Sequence, residues 1–165
     1  MDLMPRMMPA LLLILGALAG CALPSSIAPN TTSADELLKK LGKPTETRPN
    51  PQGGEFWEYV YGPAGTQTWL FGVDGGRMVR SAEQLLTYQR LYQVVPGVTT
   101  EAKVRELLGK PSQITHFATH TAWDWRVNLT PYMGYFVVLL DRNGVAIGIN
   151  VLTDMTIDSG DKGDR

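Results

Sequence analysis

The sequence has few of the features that identify an enzyme or a nucleic-acid-binding protein. Its 165 residues include one cysteine, Cys21, which excludes an internal disulfide and a cysteine-rich metal site. Fifteen basic residues stand against 16 acidic ones, whereas a protein that binds polyanions is expected to carry a basic excess. The sequence contains no nucleophile motif, phosphate-binding loop or dinucleotide fingerprint. We therefore predict no enzymatic activity, cofactor, nucleic-acid partner or small-molecule substrate.

The chain also lacks an apolar run long enough to span a membrane. Its longest run, residues 10–20, has eleven residues, and a membrane-spanning helix needs about 20. The run has the length of a secretory signal core and ends in Leu18-Ala19-Gly20-Cys21, the pattern of a bacterial lipobox. We predict a signal peptide at 1–20, cleavage before Cys21 and a diacylglyceryl group on the Cys21 thiol. The alternatives are an ordinary secretory signal, or a buried helix, that happens to contain a cysteine.

The remainder of the chain consists of two similar segments in tandem. At an offset of 67 residues, segment 29–44 aligns with segment 96–111, and both end in Leu-Gly-Lys-Pro. Further matches downstream keep an offset of 66 or 67, which indicates duplication. The predicted organisation is an anchor and tether at 21–32, repeat 1 at 33–87, repeat 2 at 88–153 and a disordered tail at 154–165.

The expected fold class is α+β. Each repeat is predicted to pack one or two short helices on a three-stranded antiparallel sheet. In repeat 1, Ser33 and Glu36 fit a capping box, and apolar residues at helical spacing follow up to Gly42. The predicted strands cover 56–61, 68–73 and 77–86 in repeat 1, and 122–127, 135–140 and 145–153 in repeat 2. A helix capped by Thr87, with Tyr88, Leu91, Tyr92 and Val95 on one face, should open repeat 2.

Two groups of polar residues could suggest chemistry. His116, His120 and Asp124 are spaced as metal ligands on a helix, but this segment leads into a strand, where i and i+4 lie about 13 Å apart. We therefore predict no metal site. Glu58 and Asp124 occupy equivalent strand positions, and the alternation of side chains places both opposite the aromatic face. We expect both carboxylates on a solvated outer face.

The strongest sign of an interaction surface is strand 135–140, which is apolar on both faces. The helices of repeat 2 can cover only one face, so repeat 1 or a partner must meet the other, and we favour repeat 1. The preceding loop, 129–134, presents Tyr132 and Met133 at its tip. Exposed tyrosine and methionine are enriched at interfaces, so these two are the candidate partner-binding residues, although the loop could also fold onto the core.

The lipobox, the Thr-initiated helix that ends in Leu108-Gly109-Lys110-Pro111, the aromatic strand and the Asp-Gly hairpin together resemble the SmpA/OmlA (BamE-like) family of outer-membrane lipoproteins. The resemblance covers about 33–153, once in each repeat. It implies a periplasm-facing scaffold on the outer membrane. The residue after the cysteine is Ala22 and not Asp, which also favours the outer membrane over the inner membrane. The implied partners are membrane lipid, through the Cys21 anchor, and an envelope protein such as the barrel-assembly machinery. The duplicated arrangement also resembles inhibitors of the β-lactamase inhibitory type, which makes a periplasmic inhibitor the alternative.

Replacing Cys21 with Ser removes the only thiol that could accept the lipid. We expect the C21S chain to lose metabolic palmitate label, because an oxygen at this position does not accept the diacylglyceryl group. We also expect the variant to keep its signal peptide and therefore to migrate more slowly in gel electrophoresis. Unchanged acyl labelling in C21S would contradict the lipoprotein prediction.

Overall fold

The computed structural model describes residues 23–154, and these form two four-stranded antiparallel sheets with short helices. In both sheets the spatial order of the strands follows their order in the chain. The first sheet contains β1 (Glu46–Pro49), β2 (Glu55–Tyr61), β3 (Gln67–Val73) and β4 (Val79–Gln84). The second contains β5 (Gln113–His116), β6 (Thr121–Leu129), β7 (Tyr132–Leu140) and β8 (Ala146–Thr153). The helices are α1 (Ala34–Leu41), α2 (Tyr88–Leu91) and α3 (Glu101–Leu108).

The predicted α+β class is confirmed, but the prediction of three strands in each sheet is wrong. The additional strands, β1 and β5, are four residues long and mostly polar, so no apolar alternation marks them in the sequence. The predicted signal peptide and Cys21 lie outside the described residues, as does the tail beyond Asp154. None of the helices within 23–154 has the length and apolar character that a membrane crossing requires.

The two halves of the structure repeat each other in detail. Helices α1 and α3 begin 67 residues apart, after the N-cap residues Ser33 and Thr100, whose hydroxyls accept a backbone N–H three residues on. Both N-cap residues also form an isolated β-bridge, Ser33 to Met78 and Thr100 to Val145. A bulge interrupts the pairing of the last two strands at the same place in both sheets. The offset found in the sequence is therefore also the offset of the three-dimensional elements.

Two aromatic residues of β2 and two of β6 lie in the two cores. Helix α1 packs on the inner face of the first sheet, where Trp57 and Tyr59 are buried. Helices α2 and α3 pack on the inner face of the second sheet, where Trp123 and Trp125 are buried. Tyr59 Oη donates to the carbonyl of Gly42 at 3.1 Å, and burial raises the pKa of Tyr59 to about 12.

The helix predicted after Thr87 is shorter than expected and uses a different face. It is a single turn, and Tyr88 and Tyr92 are exposed and stacked on each other, with ring centroids 6.4 Å apart. The buried residues are Leu91 and Val94. The prediction of one continuous apolar stripe through Val95 is wrong because the helix stops at Leu91. Strand β4 likewise ends at Gln84, not near Leu86, and Leu86 enters the core of the second unit.

The segment expected to act as a tether is in part packed against the first unit. Pro24 and Ile27 are buried, and Ile27 belongs to the core beneath α1. The backbone N–H of Asn30 donates to the carbonyl of Val79 at 2.7 Å, and Val79 donates to Thr32 at 3.0 Å. The chain from Pro24 to Thr32 is thus held by burial and hydrogen bonds, in contrast to a free linker.

Helix α3 lies between the two sheets and joins them. One side of α3 packs on the inner face of the second sheet, while its Arg105 and its C-terminal end contact the outer face of the first. Glu58, on that outer face, is 1 % exposed. Its carboxylate accepts the Arg105 guanidinium at 2.9 Å and the backbone N–H of Lys110 at 2.6 Å. The expectation of a solvated Glu58 is wrong because strand alternation shows which face a residue occupies, not what covers that face.

The glycines that end α1 and α3 allow a direct test of this packing. Both adopt positive φ with extended ψ (79°, −161° at Gly42 and 76°, −165° at Gly109), a region that is essentially restricted to glycine. A Cβ at Gly42 would meet nothing within 4 Å, whereas at Gly109 it would lie 2.8 Å from Thr68 and 2.9 Å from Glu58.

We predict that Gly109→Ala lowers the free energy of unfolding by at least about 1 kcal/mol more than Gly42→Ala does. Both variants introduce backbone strain, but only Gly109→Ala also pushes the two units apart. Urea denaturation of both variants measures the difference, and equal losses would show that α3 is not seated on the first sheet as described.

Candidate functional site

The outer face of the first sheet contacts the helices of the second unit through its acidic residues. It carries three carboxylates, and each one pairs with an arginine from beyond the first sheet. Arg105 pairs with Glu46 at 2.7 Å and with Glu58 at 2.9 Å. Arg90 of α2 pairs with Glu83. Opposite charges therefore hold the helices of the second unit against this face.

The same positions on the outer face of the second sheet are chemically different. The strand registers of the two sheets superimpose at offsets of 66 or 67, so the equivalent residues can be read directly. The three carboxylate positions, Glu46, Glu58 and Glu83, correspond to Gln113, Asp124 and Asn150. One acid remains where the first sheet has three. It is surrounded by Val137, which is buried, and by Tyr135, Leu139 and Leu152.

Asp124 is the carboxylate at the centre of this face. The side chain is partly buried, and burial raises its pKa above the ordinary value of 3.8. Its backbone carbonyl accepts two bonds from Ser112, but within residues 23–154 no hydrogen bond or ion pair to the Asp124 carboxylate is found. Asp124 is thus desolvated without the arginine that its counterpart Glu58 has. Asp124 lies on the outer face as expected, but the neighbouring strands bury part of its side chain.

Arg126 borders the face on one side. Its guanidinium lies 4.5 Å from the ring centre of Tyr135 and is paired with Asp154. The hydrogen bond to Asp154 raises the pKa of Arg126 above its ordinary value. Because Arg126 already has these two partners, it leaves Asp124 as the unpaired charge of the face.

The structure separates the two predicted partner-binding residues. Both are exposed as predicted, Tyr132 by 51 % and Met133 by 41 %. They are the first residues of β7, following a two-residue turn, so the prediction of a six-residue loop is wrong. Alternation places Met133 on the outer face with Tyr135 and directs Tyr132 to the opposite side. Tyr135 and Leu152 were missed by sequence analysis because strand 135–140 was expected to be covered by repeat 1. Tyr135 is in fact 38 % exposed and Leu152 55 % exposed.

The histidines occupy the β5–β6 hairpin, away from the face around Asp124. His116 Nδ1 lies 3.3 Å from Thr121 Oγ1, and His120 stacks on Phe117 with ring centres 4.7 Å apart. Among the described residues, no group of three His, Cys, Asp or Glu side chains could hold a metal ion.

A cleft of about 280 Å³ lies between the two units, and its wall is mostly apolar. Val60, Leu86 and Trp125 contribute the apolar surface, and Lys110 and Arg126 contribute the charges. The residues that line the cleft include hydroxyl groups but no carboxylate, histidine or cysteine that could activate one.

Comparison with family models and with curated proteins gives no match. Among solved structures, the chain is similar to a DUF4309 family protein (YjgB) from Bacillus subtilis, with 14 % identity and a TM-score of 0.30, over 78 % of this chain and 82 % of that one. It is also similar to an extracellular protein containing an SCP domain from Bacillus anthracis, with 17 % identity and a TM-score of 0.32. This second match covers 82 % of this chain and 47 % of that one.

Replacing each of the two equivalent acids with its amide should change stability in opposite directions. We predict that Glu58→Gln costs about 2–3 kcal/mol at pH 7, because the amide NH₂ cannot accept from Arg105 or Lys110. Asp124→Asn should be neutral or stabilising, by less than about 1 kcal/mol, because it removes a desolvated charge that has no partner. Urea denaturation measures both values.

The pH dependence of Asp124→Asn gives an independent check. A raised pKa means that the fold favours neutral Asp124, so the native chain loses stability relative to Asp124→Asn as pH rises through that pKa. The two chains should be closest in stability below pH 3.8. A gap that instead widens as pH falls would contradict the assignment of Asp124 as an unpaired acid.

Proposed function

We propose that the chain is a non-enzymatic lipoprotein that binds a protein partner on the outer face of its second sheet. Lipid on Cys21 would hold it in the outer membrane, facing the periplasm. Its two units would act as tandem BamE-like modules in a scaffold that supports outer-membrane protein assembly. Attachment to the membrane raises the effective concentration of a binding module toward partners in the same membrane, so a modest affinity is sufficient.

The observation that carries the proposal is the difference between two equivalent faces. The outer face of the first sheet is covered by α3, and Glu58 receives both Arg105 and the end of that helix. The outer face of the second sheet presents Asp124 in the position of Glu58. Among the described residues no α-helix lies over it, and the short turn Pro63–Gly65 of the first unit borders it near Arg126 and Tyr135. The contact between α3 and the first sheet is therefore an example of the kind of segment that this type of face binds.

By this example, the partner segment is an α-helix with a basic residue in its last turn. Asp124 would pair with that residue. The exposed Tyr135 and Leu152 and the half-buried Leu139 would contact apolar residues on the same side of the helix. The basic end of a helix is also the end whose free carbonyls favour cations. Burial of Asp124 strengthens its attraction to an incoming cation, because the site is already partly desolvated.

The partner helix cannot sit as close as α3 does to the first sheet. Tyr135 replaces Thr68, beside which Gly109 packs, and Leu139 replaces Gly72. Both replacements add bulk above the sheet. The outer face of the second sheet therefore favours a helix whose small residues lie over Tyr135 and Leu139.

Site-specific photo-cross-linking in cells tests this proposal. A photoreactive phenylalanine analogue at Tyr135 should give an adduct with an envelope protein, and a barrel-assembly subunit is the adduct that a BamE-like role predicts. The same analogue at Tyr92, an exposed tyrosine at the C-cap of α2, is the matched control. Adding Asp124→Arg should lower the Tyr135 adduct roughly tenfold, through repulsion of the partner's cation. Glu106→Arg, which reverses an exposed charge on α3, should not.

Two results would contradict the proposal. One is an equal adduct yield at Tyr135 and Tyr92, which would show that the face is no more occupied than any exposed surface. The other is a Tyr135 adduct that Asp124→Arg leaves unchanged, which would remove Asp124 from the binding site.

A further inference from the structure

Strand β8 is an open edge of the second sheet, and it has no charged residue. It runs for eight residues, Ala-Ile-Gly-Ile-Asn-Val-Leu-Thr. The equivalent edge strand of the first sheet, β4, reads Val-Arg-Ser-Ala-Glu-Gln. At an offset of 67, Arg80, Glu83 and Gln84 of β4 correspond to Ile147, Asn150 and Val151. Proteins commonly protect edge strands with charges, which discourage pairing with another chain. β4 has this protection and β8 does not.

The hydrogen-bonding pattern shows which backbone groups of β8 are free. The Asp154 N–H donates to the carbonyl of Met133, so residues 133 and 154 form a hydrogen-bonded pair. Such pairs alternate along an antiparallel ladder, so the backbone groups of Leu152 and Asn150 also face β7. The N–H and C=O groups of Ile149, Val151 and Thr153 therefore point away from the sheet.

This free edge is accessible along most of its length. Among residues 23–154, only the start of this edge is bonded to another segment, because Gly97 N–H donates to the carbonyl of Ala146 and Ala146 N–H donates to Thr99. Beyond that point Val151 is 50 % exposed, and Leu152 is exposed on the outer face. An incoming strand can therefore pair with β8 from Ile149 onward.

We propose that β8 pairs with β8 of a second copy of this chain, antiparallel and about a two-fold axis at Val151. This register places Val151 opposite Val151 of the second copy and Ile149 opposite Thr153, and it forms about six backbone hydrogen bonds. Asn150 lies opposite Leu152 on the outer face. The inference goes beyond the proposed function and does not depend on the lipid anchor.

A second copy suits this edge better than an unrelated strand for two reasons. The sequence of β8 is uncharged, so pairing with itself brings no like charges together. A two-fold pairing also satisfies both free edges in one closed contact, whereas a head-to-tail contact would leave one edge open. The result is a continuous eight-stranded sheet in which two Asp124-centred faces lie side by side.

Disulfide trapping tests the register. In a C21S background of the full chain purified in detergent, Val151→Cys should cross-link to itself under mild oxidation, because opposed residues in an antiparallel pair have Cα atoms about 5.5 Å apart. Gln84→Cys, at the equivalent position of β4, is the matched control and should give at least tenfold less dimer. If the yields of the two variants are equal, or if neither forms a dimer, the proposal is overturned.

A second variant transfers the protection of β4 to β8. The triple substitution Ile147→Arg, Asn150→Glu, Val151→Gln gives β8 the polar side chains that β4 carries at three positions. All three positions are exposed in β8, so the strand should still fold. Light scattering should show that the parent, the C21S chain, is a dimer and that this variant in the same background is a monomer. Circular dichroism should confirm that both chains are folded. A parent that is monomeric, or a triple variant that remains dimeric, would refute the β8 contact. Both results can be obtained without the lipid or the partner helix, so they separate this inference from the proposed function.

Discussion

The arrangement of the molecule depends on one buried carboxylate. Glu58 lies between the first sheet and α3, and its two oxygens accept the Arg105 side chain and the backbone N–H that follows the end of α3. A buried charge is costly unless such bonds compensate it, so the position of α3 on the first sheet is restricted to the one that supplies them. Because α3 also packs in the core of the second unit, this contact fixes the orientation of one unit relative to the other.

The two units illustrate how one fold, present twice, can serve two purposes. In the first unit, the outer face is used inside the chain and holds the molecule together. In the second, the equivalent face has lost two of its three acids and gained the side chains of Tyr135 and Leu139. The edge strands have diverged in the same direction, with charges on β4 and none on β8.

Sequence reasoning recovered the features that depend on local chemistry. The caps at Ser33 and Gly42, the hairpin at Asp74 and the buried Trp57 follow from residue preferences acting over a few positions. Asp74 accepts the Met78 N–H at 2.9 Å, as an Asp-Gly turn requires, and this bond lowers the pKa of Asp74. The site around Asp124 depends on what covers each sheet, which is long-range information. Alternation identified Glu58 and Asp124 as equivalent, but it could not show that a helix lies on one and not on the other.

The packed segment that begins at Pro24 has a geometric consequence for a chain attached to lipid through residue 21. Pro24 is already buried against the body, so the leash between Cys21 and the folded surface is three peptide units long and reaches at most about 11 Å. A body attached by so short a segment could not rotate freely above the lipid headgroups. The part of its surface around Pro24 would stay close to the bilayer, so a partner in the same membrane would meet the body within a narrow range of heights.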